Sequence, residues 1–271
     1  MSYALTEQFF PAAYLGALPP PASAAEMGDR NYEVRLARTP SEIDAALRLR
    51  FEVFNLELSE GLDSSFRTGR DRDEFDASCE HLIAIDRSKG GVVGTYRLRT
   101  IELAVTVDCF YSHAEFDLGR MPRWVLDQSV ELGRACIARN HRNRQVLSLM
   151  WKALAQYAVA HQKRFLFGCC SLNSQDPRHG QELLRRFMDA EHMHPTISLP
   201  VQPGFECRDD GAGAAEPGQV EIPKLLSAYL GLGAKVCSPP ALDHRFKTID
   251  FFVLSDIRSR HPRARRRFGN G

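Results

Sequence analysis

The 271-residue sequence lacks any apolar run of the roughly 18 residues that a membrane-spanning helix needs. Its first residues also lack the basic start and apolar core of a secretory signal peptide. The chain has almost no net charge, because 35 Lys and Arg residues face 34 Asp and Glu residues. This balance argues against a protein that binds nucleic acid with its whole surface. We therefore expect a cytoplasmic protein that does not cross the bilayer.

Metal-ligand spacings are also absent. The seven cysteines are an odd number, and neither they nor the histidines have the spacing of a zinc site. The acidic run Asp71–Asp76 fails as a calcium loop, because Phe75 and Asp76 stand where an oxygen ligand and a glycine are required. We predict free thiols in a reducing compartment and no bound metal.

Residues 129–150 form the stretch around which the sequence is organised. Val130, Leu132 and Ile137 are typical of a buried strand. After an arginine-rich turn, Val146 and Met150 begin an apolar stripe with helical spacing. The pattern predicts a strand, a turn and a long helix that lies against the sheet.

The rest of the chain predicts one α+β domain between two tails. Residues 1–31 are rich in alanine and proline and predict a mobile arm. Residues 32–257 alternate strands, hairpins and helices, which predicts a mixed, mostly antiparallel central sheet flanked by helices. Residues 258–271 contain six arginines and no acidic residue.

Charged residues inside the predicted strands are candidates for function, because an unpaired buried charge is costly. Glu131 and Arg134 lie in the central strand, and Arg97 and Arg99 share one face of a neighbouring strand. These residues either build a structural ion pair around Glu131 or bind an anionic ligand and move a proton.

Two further candidates precede that strand. Arg50 and Phe54 are four residues apart on one helix. Asp73 and Asp76 belong to a long charged loop, which is either a solvated acidic face or a wall that holds a cationic amine.

Several short motifs, in this order, resemble a known family. They are Arg50 with Phe54, Asp73-Glu74-Phe75-Asp76, Gly94-Thr95-Tyr96-Arg97-Leu98, Phe110-Tyr111-Ser112, Glu115-Phe116-Asp117, Glu131-Leu132-Gly133-Arg134, Ile222-Pro223-Lys224-Leu225-Leu226 and Pro239-Pro240-Ala241-Leu242-Asp243. Together they resemble the ornithine-lipid N-acyltransferase and long-chain N-acyl amino acid synthase group of the GNAT acyltransferases, which is related to acyl-homoserine-lactone synthases.

The resemblance implies a GNAT fold and an N-acyltransferase. Its donor would be acyl carrier protein carrying a long, 3-hydroxylated fatty acyl chain on phosphopantetheine, with no permanently bound cofactor. Its acceptor would be the α-amine of an amino acid, usually L-ornithine, and its product a lyso-ornithine lipid. Glu131 is then the candidate base, assisted by Arg97 and Arg134.

The remaining site residues follow from the same reading. Arg50, Phe54, Asp73, Asp76 and Arg99 would bind the acceptor, with the arginines on its carboxylate and the aspartates on a side-chain ammonium. The turn after the central strand contains no glycine, which makes close approach to a coenzyme diphosphate difficult. Its arginines suit the single phosphate of phosphopantetheine and an acidic carrier protein; they are Arg139, Arg142 and Arg144.

The sequence leaves alternatives open. The protein is alternatively an N-acyl amino acid synthase for another amino acid, an acyl-homoserine-lactone-type synthase that also closes a lactone, or a non-catalytic, membrane-associated binding protein. The arginine tail either contacts anionic lipid on the inner membrane face, docks the carrier protein, or is a disordered solubilising tail.

Overall fold

A computed structural model describes residues 27–208 and 220–258. Within these ranges the strands are β1 Met27–Gly28, β2 Tyr32–Leu36, β3 Glu80–Asp86, β4 Val92–Thr100, β5 Ser129–Ile137, β6 Phe165–Leu172, β7 Lys235–Val236, β8 Ala241–Asp243 and β9 Thr248–Asp256. The helices are α1 Pro40–Arg50, α2 Ile101–Ala104, α3 Arg123–Asp127, α4 Arg144–Ala160, α5 Pro177–Asp189 and α6 Lys224–Gly231. A π-helical turn, Phe51–Glu57, continues α1.

The strands form one sheet in the order β1-β2-β3-β4-β5-β6-β9-β7, and β8 also pairs with β9. Every pairing in this sheet is antiparallel except that of β5 with β6. The predicted mixed, mostly antiparallel sheet is therefore confirmed.

The N-terminal boundary of the predicted domain is wrong by a few residues. Strand β1 pairs with β2, with Met27 opposite Val34, so the sheet begins before residue 32. The two-residue strand has no alternating pattern that would reveal it in the sequence. Residues 1–26 of the predicted arm, and residues 259–271 of the arginine tail, lie outside the described ranges.

Helix α1 begins where the sequence predicts. Thr39 is the N-cap and accepts a hydrogen bond from the backbone N–H of Glu42, whose side chain accepts one from the N–H of Thr39. Pro40 occupies the first helical position. This capping box satisfies helix donors that would otherwise lack partners and fixes the start of the helix.

The two faces of the sheet have different roles. Tyr96 and Leu98 of β4 point to one face, where the apolar stripe of α4 covers them with Met150 and Trp151 in the core. Residues 97 and 99 point to the opposite face because side chains alternate along a strand. Helix α1 and the segment 101–127 lie on that second side of the sheet.

Strands β5 and β6 pair only near their starts, from Ser129 opposite Phe165 to Glu131 opposite Phe167. At the point of separation Gly168 is required, because a Cβ there would lie 2.2 Å from the carbonyl oxygen of Leu132. Strand β5 also contains a bulge against β4, in which Arg134 has a φ of 50°. The two strands therefore diverge beyond Glu131 and leave a gap in the sheet.

Candidate active site

A cleft of about 700 Å³ occupies the gap between β5 and β6. On one face of the sheet its wall is polar and includes Glu131, Arg97 and Arg99. On the face covered by α4 its wall is largely apolar, with Leu132, Leu154, Leu226 and Leu232. A cleft of this volume is large enough for a small-molecule ligand.

Glu131 is buried, with 5% of its surface exposed, and lines the cleft. Its Oε1 accepts hydrogen bonds from the backbone N–H and the hydroxyl of Ser112, both at 2.7 Å. Its Oε2 accepts one from the backbone N–H of Tyr111 at 3.1 Å. An ionised carboxylate has about four acceptor positions, so one remains for a ligand in the cleft.

The alternative that Glu131 forms a structural ion pair with Arg97 or Arg134 is wrong. Both guanidinium groups instead bind aspartates of the loop before β3. Arg97 donates to Asp73 at 2.6 Å and to Asp76 at 3.2 Å, and Arg134 donates to Asp73 at 2.9 Å.

Arg50 completes this buried ion cluster and does not reach the cleft. It is fully buried and pairs with Asp71 and Asp76, each at 2.6 Å. The predicted role of Arg50 in substrate binding is therefore wrong, because its guanidinium group is already occupied. The sequence spacing placed it correctly on a helix but did not reveal its acidic partners.

The predicted ammonium site at Asp73 and Asp76 is also wrong. Their side chains are 3% exposed, and neither lines the cleft. The guanidinium groups of Arg50 and Arg97 offset the effect of burial and hold the pKa of Asp76 well below its usual value. Both carboxylates are already neutralised by arginine.

Arg99 differs from the other three arginines. It is 3% exposed and lines the cleft, and it lies opposite Glu131 in the β4–β5 ladder. Its contacts are the Sγ of Cys79 at 3.7 Å and the ring of Phe75. Its buried Nε has no hydrogen-bond partner among the residues described. This guanidinium group is available for an anionic ligand.

Arg134 lies at the bulge of β5 and is held on two sides. The rings of Phe246 and Tyr111 lie 4.0 and 5.1 Å from its guanidinium carbon. A non-glycine residue with positive φ is strained, and such strain is often found at functional sites. The surrounding aromatic rings and aspartates fix the strained residue in the wall of the cleft.

The apolar part of the cleft contains one polar pair. The hydroxyls of Tyr96 and Tyr229 are 2.6 Å apart, and the Nε1 of Trp151 donates to the Tyr96 hydroxyl at 3.2 Å. Burial raises the pKa of Tyr96 to about 12, so its hydroxyl stays neutral. Phe54, from the π-helical turn, also lines the cleft.

A second group of carboxyl groups lies near the polar part of the cleft. Oxygens of Glu115, Asp243 and Asp250 lie within 4.8 Å of one another, and all three residues are buried. Asp250 lines the cleft, as does Glu60. Burial and the neighbouring carboxylates raise the pKa of Asp250 to about 6 and that of Glu60 to about 7. The sequence prediction missed this group.

The seven cysteines are free. Burial raises the pKa of Cys136 and Cys170 to about 12, so neither forms a thiolate nucleophile.

The arginine-rich turn lies outside the cleft wall. Arg139, Arg142 and Arg144 are all exposed. Arg142 binds both carboxylate oxygens of Glu57 and the carbonyl oxygen of Ile137. The predicted phosphate site therefore loses one of its three arginines, because Arg142 is already paired.

Three motifs of the sequence acquire a role only in three dimensions. Tyr111 and Ser112 hold Glu131 from a segment of short 3₁₀ turns that has no periodic pattern. Glu115 and Asp243 come from separate motifs and meet at Asp250. Their chemistry could not be read from the sequence because each motif is too short to define a pairing.

The family model described as an acetyltransferase (GNAT) domain matches residues 49–152. This match runs from the end of α1 through strands β3 to β5 and into the first half of α4. The AHL synthase LasI, a solved structure, is 12% identical with a TM-score of 0.48, covering 86% of this chain and 93% of its own. The family model assigns residues 49–152 of the chain to a GNAT acetyltransferase domain.

Curated relatives are more specific. The L-ornithine N(alpha)-acyltransferase of Rhodobacter capsulatus is 34% identical over 87% of this chain and 93% of its own length. That of Agrobacterium fabrum is 33% identical over 84% of this chain and 81% of its own. The chain belongs to the family of these N-acyltransferases. The resemblance seen in the sequence is confirmed, and the alternative of a non-catalytic binding protein is wrong.

Proposed function

We propose that the protein transfers a long-chain fatty acyl group from acyl carrier protein to the α-amine of L-ornithine. The product is a lyso-ornithine lipid, the first intermediate of ornithine-lipid synthesis. The observation that carries this proposal is the buried carboxylate of Glu131 on a cleft whose opposite part is apolar. The names of the curated relatives support ornithine as the acceptor.

Glu131 acts as the general base. An α-amine is mostly protonated near neutral pH and cannot attack until it loses a proton. The carboxylate takes that proton directly or through a water molecule, and the amine nitrogen attacks the thioester carbonyl carbon. The carbon–sulfur bond then breaks, and the sulfur leaves as the phosphopantetheine thiol after taking the second proton that the amine nitrogen loses as it becomes an amide. General base catalysis of this kind contributes roughly 10²- to 10⁴-fold in rate.

Arg99 binds the α-carboxylate of the acceptor. Its guanidinium group lines the cleft without an acidic partner among the described residues and lies on the strand next to Glu131. A planar guanidinium group matches a carboxylate with two parallel hydrogen bonds. The amine next to that carboxylate is then held near Glu131. Arg97 and Arg134 shape the cleft wall and keep the aspartate loop in place.

The apolar part of the cleft holds the acyl chain. Phe54, Leu154 and Leu226 line this part, and the gap between β5 and β6 leads there from Glu131. Beyond Glu131 the unpaired edges of β5 and β6 offer backbone groups to the amide-containing pantetheine arm and to the thioester oxygen. The hydroxyls of Tyr96 and Tyr229 are partners for a 3-hydroxyl group on the chain.

Acyl carrier protein rather than acyl-CoA is the proposed donor. Arg139 and Arg144 remain exposed near the start of α4, where an acidic carrier surface can approach. Comparing kcat/KM for matched acyl carrier protein and acyl-CoA donors tests this. Substituting Arg139 and Arg144 with alanine should raise the KM for the carrier protein about tenfold, whereas the same change at exposed Arg120 should not. Equal kcat/KM values for the two donors would contradict the proposal.

The activity itself is tested by product analysis. The purified chain is incubated with acyl carrier protein carrying 3-hydroxylated or plain long chains and with a panel of amino acids, and the products are read by mass spectrometry. An N-acylated ornithine supports the proposal. Acylation of a different amino acid, or a lactone product, would contradict it.

Contact with the inner membrane face is a separate proposal. In the described parts of the chain, no helix has the length and apolar content needed to cross a bilayer. The arginine-rich tail, residues 258–271, would instead attract anionic lipid, with each basic residue contributing about 1 kcal/mol near the surface. Deleting the tail should abolish sedimentation with anionic vesicles. Unchanged sedimentation would contradict this role.

A further inference from the structure

We infer that the acidic group formed by Glu115, Asp243 and Asp250, with Glu60 on the cleft wall, binds the side-chain ammonium of a basic acceptor amino acid. We call these four residues the acidic subsite. The inference rests on the proposed function and assigns the specificity for the acceptor side chain to named residues. It also replaces the ammonium site that the sequence placed at Asp73 and Asp76.

The first support is the unmet hydrogen-bonding capacity of the subsite. Both carboxylate oxygens of Glu115 and the Oδ1 of Asp250 are buried and lack a hydrogen bond of normal geometry from any residue in the described ranges. Their polar neighbours are each other's carboxyl groups and the hydroxyls of Tyr111 and Ser171. Glu115 is 1% exposed and Asp250 is 2% exposed. Buried carboxyl groups are normally hydrogen-bonded, and a primary ammonium supplies three donors.

The second support is charge. Within the described ranges, no lysine, arginine or histidine forms an ion pair with Glu115, Asp243 or Asp250. Burial and mutual repulsion raise the pKa of Glu115 well above its usual value. The aspartates of the ion cluster differ, because each of them forms an ion pair with an arginine. A bound cation would relieve the repulsion in the acidic subsite.

The third support is position relative to Glu131. Tyr111 connects the two places: its backbone N–H donates to Glu131 at 3.1 Å, and its hydroxyl donates to Asp243 at 3.4 Å. One tyrosine side chain therefore separates the proposed base from the acidic subsite. An acceptor with its α-amine at Glu131 and its α-carboxylate at Arg99 can direct a side chain along Tyr111 toward Asp250, which lines the same cleft.

The remaining contacts show which carboxylate oxygen of the subsite is available to the proposed ammonium group. The orientation of Asp243 is fixed by its own loop. Its Oδ1 accepts hydrogen bonds from the backbone N–H groups of Arg245 and Phe246 at 2.7 and 3.1 Å. The Oδ2 of Asp250 accepts one from the Thr248 hydroxyl at 3.1 Å, which leaves its Oδ1 for the ammonium. Glu115, the third carboxyl group, lies beside it.

The test compares ornithine with norvaline, the analogue that lacks only the side-chain amine. The kcat/KM of each is measured with one acyl donor for the wild type, Asp250→Asn and Glu115→Gln. We expect the ornithine-to-norvaline ratio to fall about 10- to 100-fold in Asp250→Asn, which corresponds to the loss of one charge-assisted hydrogen bond. Glu115→Gln is the second variant and should lower the same ratio.

Binding is followed separately through the melting temperature, which does not depend on acyl transfer. Ornithine should raise the melting temperature of the wild type more than norvaline does, and this difference should disappear in Asp250→Asn. An unchanged ratio and an unchanged shift in both variants would overturn the inference. So would stabilisation by Ca²⁺ or Mg²⁺ that Asp250→Asn abolishes, because the group would then be a metal site.

The two proposals fail in different ways. If the wild type acylates ornithine and norvaline with equal kcat/KM, the acidic subsite is refuted and the acyltransferase proposal stands. If no amino acid is acylated but ornithine still raises the melting temperature in a manner that depends on Asp250, the subsite stands and the proposed reaction is refuted.

Discussion

Neutralising Asp250 should make the protein more stable. In the native state burial is the main cause that raises the pKa of this carboxyl group from 3.8 to about 6. One pKa unit corresponds to 1.36 kcal/mol, so ionised Asp250 lowers the free energy of unfolding by roughly 3 kcal/mol. Asp250→Asn keeps the acceptor for Thr248 and removes the charge. We expect the variant to unfold at higher urea concentration than the wild type at pH 7.5.

The pH dependence has a defined sign. Below about pH 4 both the folded and the unfolded state carry the proton, and burial of the neutral acid adds no penalty. Between about pH 4 and 6 the unfolded state releases the proton while the folded state keeps it, so stability falls as the pH rises. Above about pH 6 the carboxyl group is ionised in both states, and the loss of unfolding free energy no longer changes with pH. Roughly half of the penalty is therefore present at pH 5.

The assay is urea unfolding of the wild type and Asp250→Asn at pH 5 and pH 7.5, followed by circular dichroism. A matched control is Asp76→Asn, the same chemical change at a buried aspartate whose pKa is lowered by Arg50 and Arg97. That variant should be less stable than the wild type, because it leaves buried arginines short of an acidic partner. A stability gain in Asp250→Asn that does not grow from pH 5 to pH 7.5, or no gain, would refute the reasoning.

Three other predictions concern separate parts of the molecule. Arg50→Met should cost about 3–5 kcal/mol in urea unfolding because it leaves one negative charge of the buried ion cluster uncompensated, with Asp71 and Asp76 keeping only their 3.2 Å contacts to Arg134 and Arg97. Arg48→Met on the exposed side of the same helix should cost under about 1 kcal/mol. Arg99→Gln should raise the KM for ornithine about 10- to 100-fold and that for ornithinamide, which lacks the carboxylate, much less; equal effects would contradict carboxylate binding. Tyr229→Phe should reduce the preference for a 3-hydroxyacyl over a plain acyl donor about fivefold, and an unchanged preference would exclude this hydroxyl as the partner.

Local patterns predicted those parts of the fold that local physics determines. The capping box at Thr39 and Glu42 fixes the start of α1 wherever the helix lies in the molecule. The apolar stripe from Val146 onward predicts α4, and the buried run around Val130 predicts β5. The three-residue strand β8 was missed because it is shorter than any recognisable alternation.

The candidate site was predicted in part. Charges inside β4 and β5 marked Glu131 and Arg99 as unusual, and both line the cleft. Which acid pairs with which arginine depends on contacts between distant segments, such as Arg134 with Asp73, 61 residues apart in sequence. For that reason the sequence assigned Asp73 and Asp76 to a ligand, whereas arginines of the protein bind them.

The acidic subsite illustrates the same limit. Glu60 follows the π-helical turn and Glu115 follows a 3₁₀ turn, whereas Asp243 and Asp250 belong to β8 and β9. No spacing in the sequence relates these four residues. Only the fold shows that they face one another without a cation among the described residues. The turn before α4 shows the same limit. Arg142 was predicted to bind a phosphate, but it pairs with Glu57, which lies far from it in sequence.

The central claim is that Glu131 removes a proton from the acceptor amine, and the pH–rate profile of Glu131→Gln tests it most directly. The substitution keeps the shape of the side chain, so the KM for the acyl donor should change little. The melting temperature should fall, because the amide NH₂ of glutamine replaces an oxygen that accepts a hydrogen bond from a backbone N–H. We expect kcat to fall roughly 10²- to 10⁴-fold at neutral pH. The residual rate should rise about tenfold per pH unit, because it depends on the fraction of free amine. A folded Glu131→Gln enzyme with the kcat and pH profile of the wild type would contradict the account.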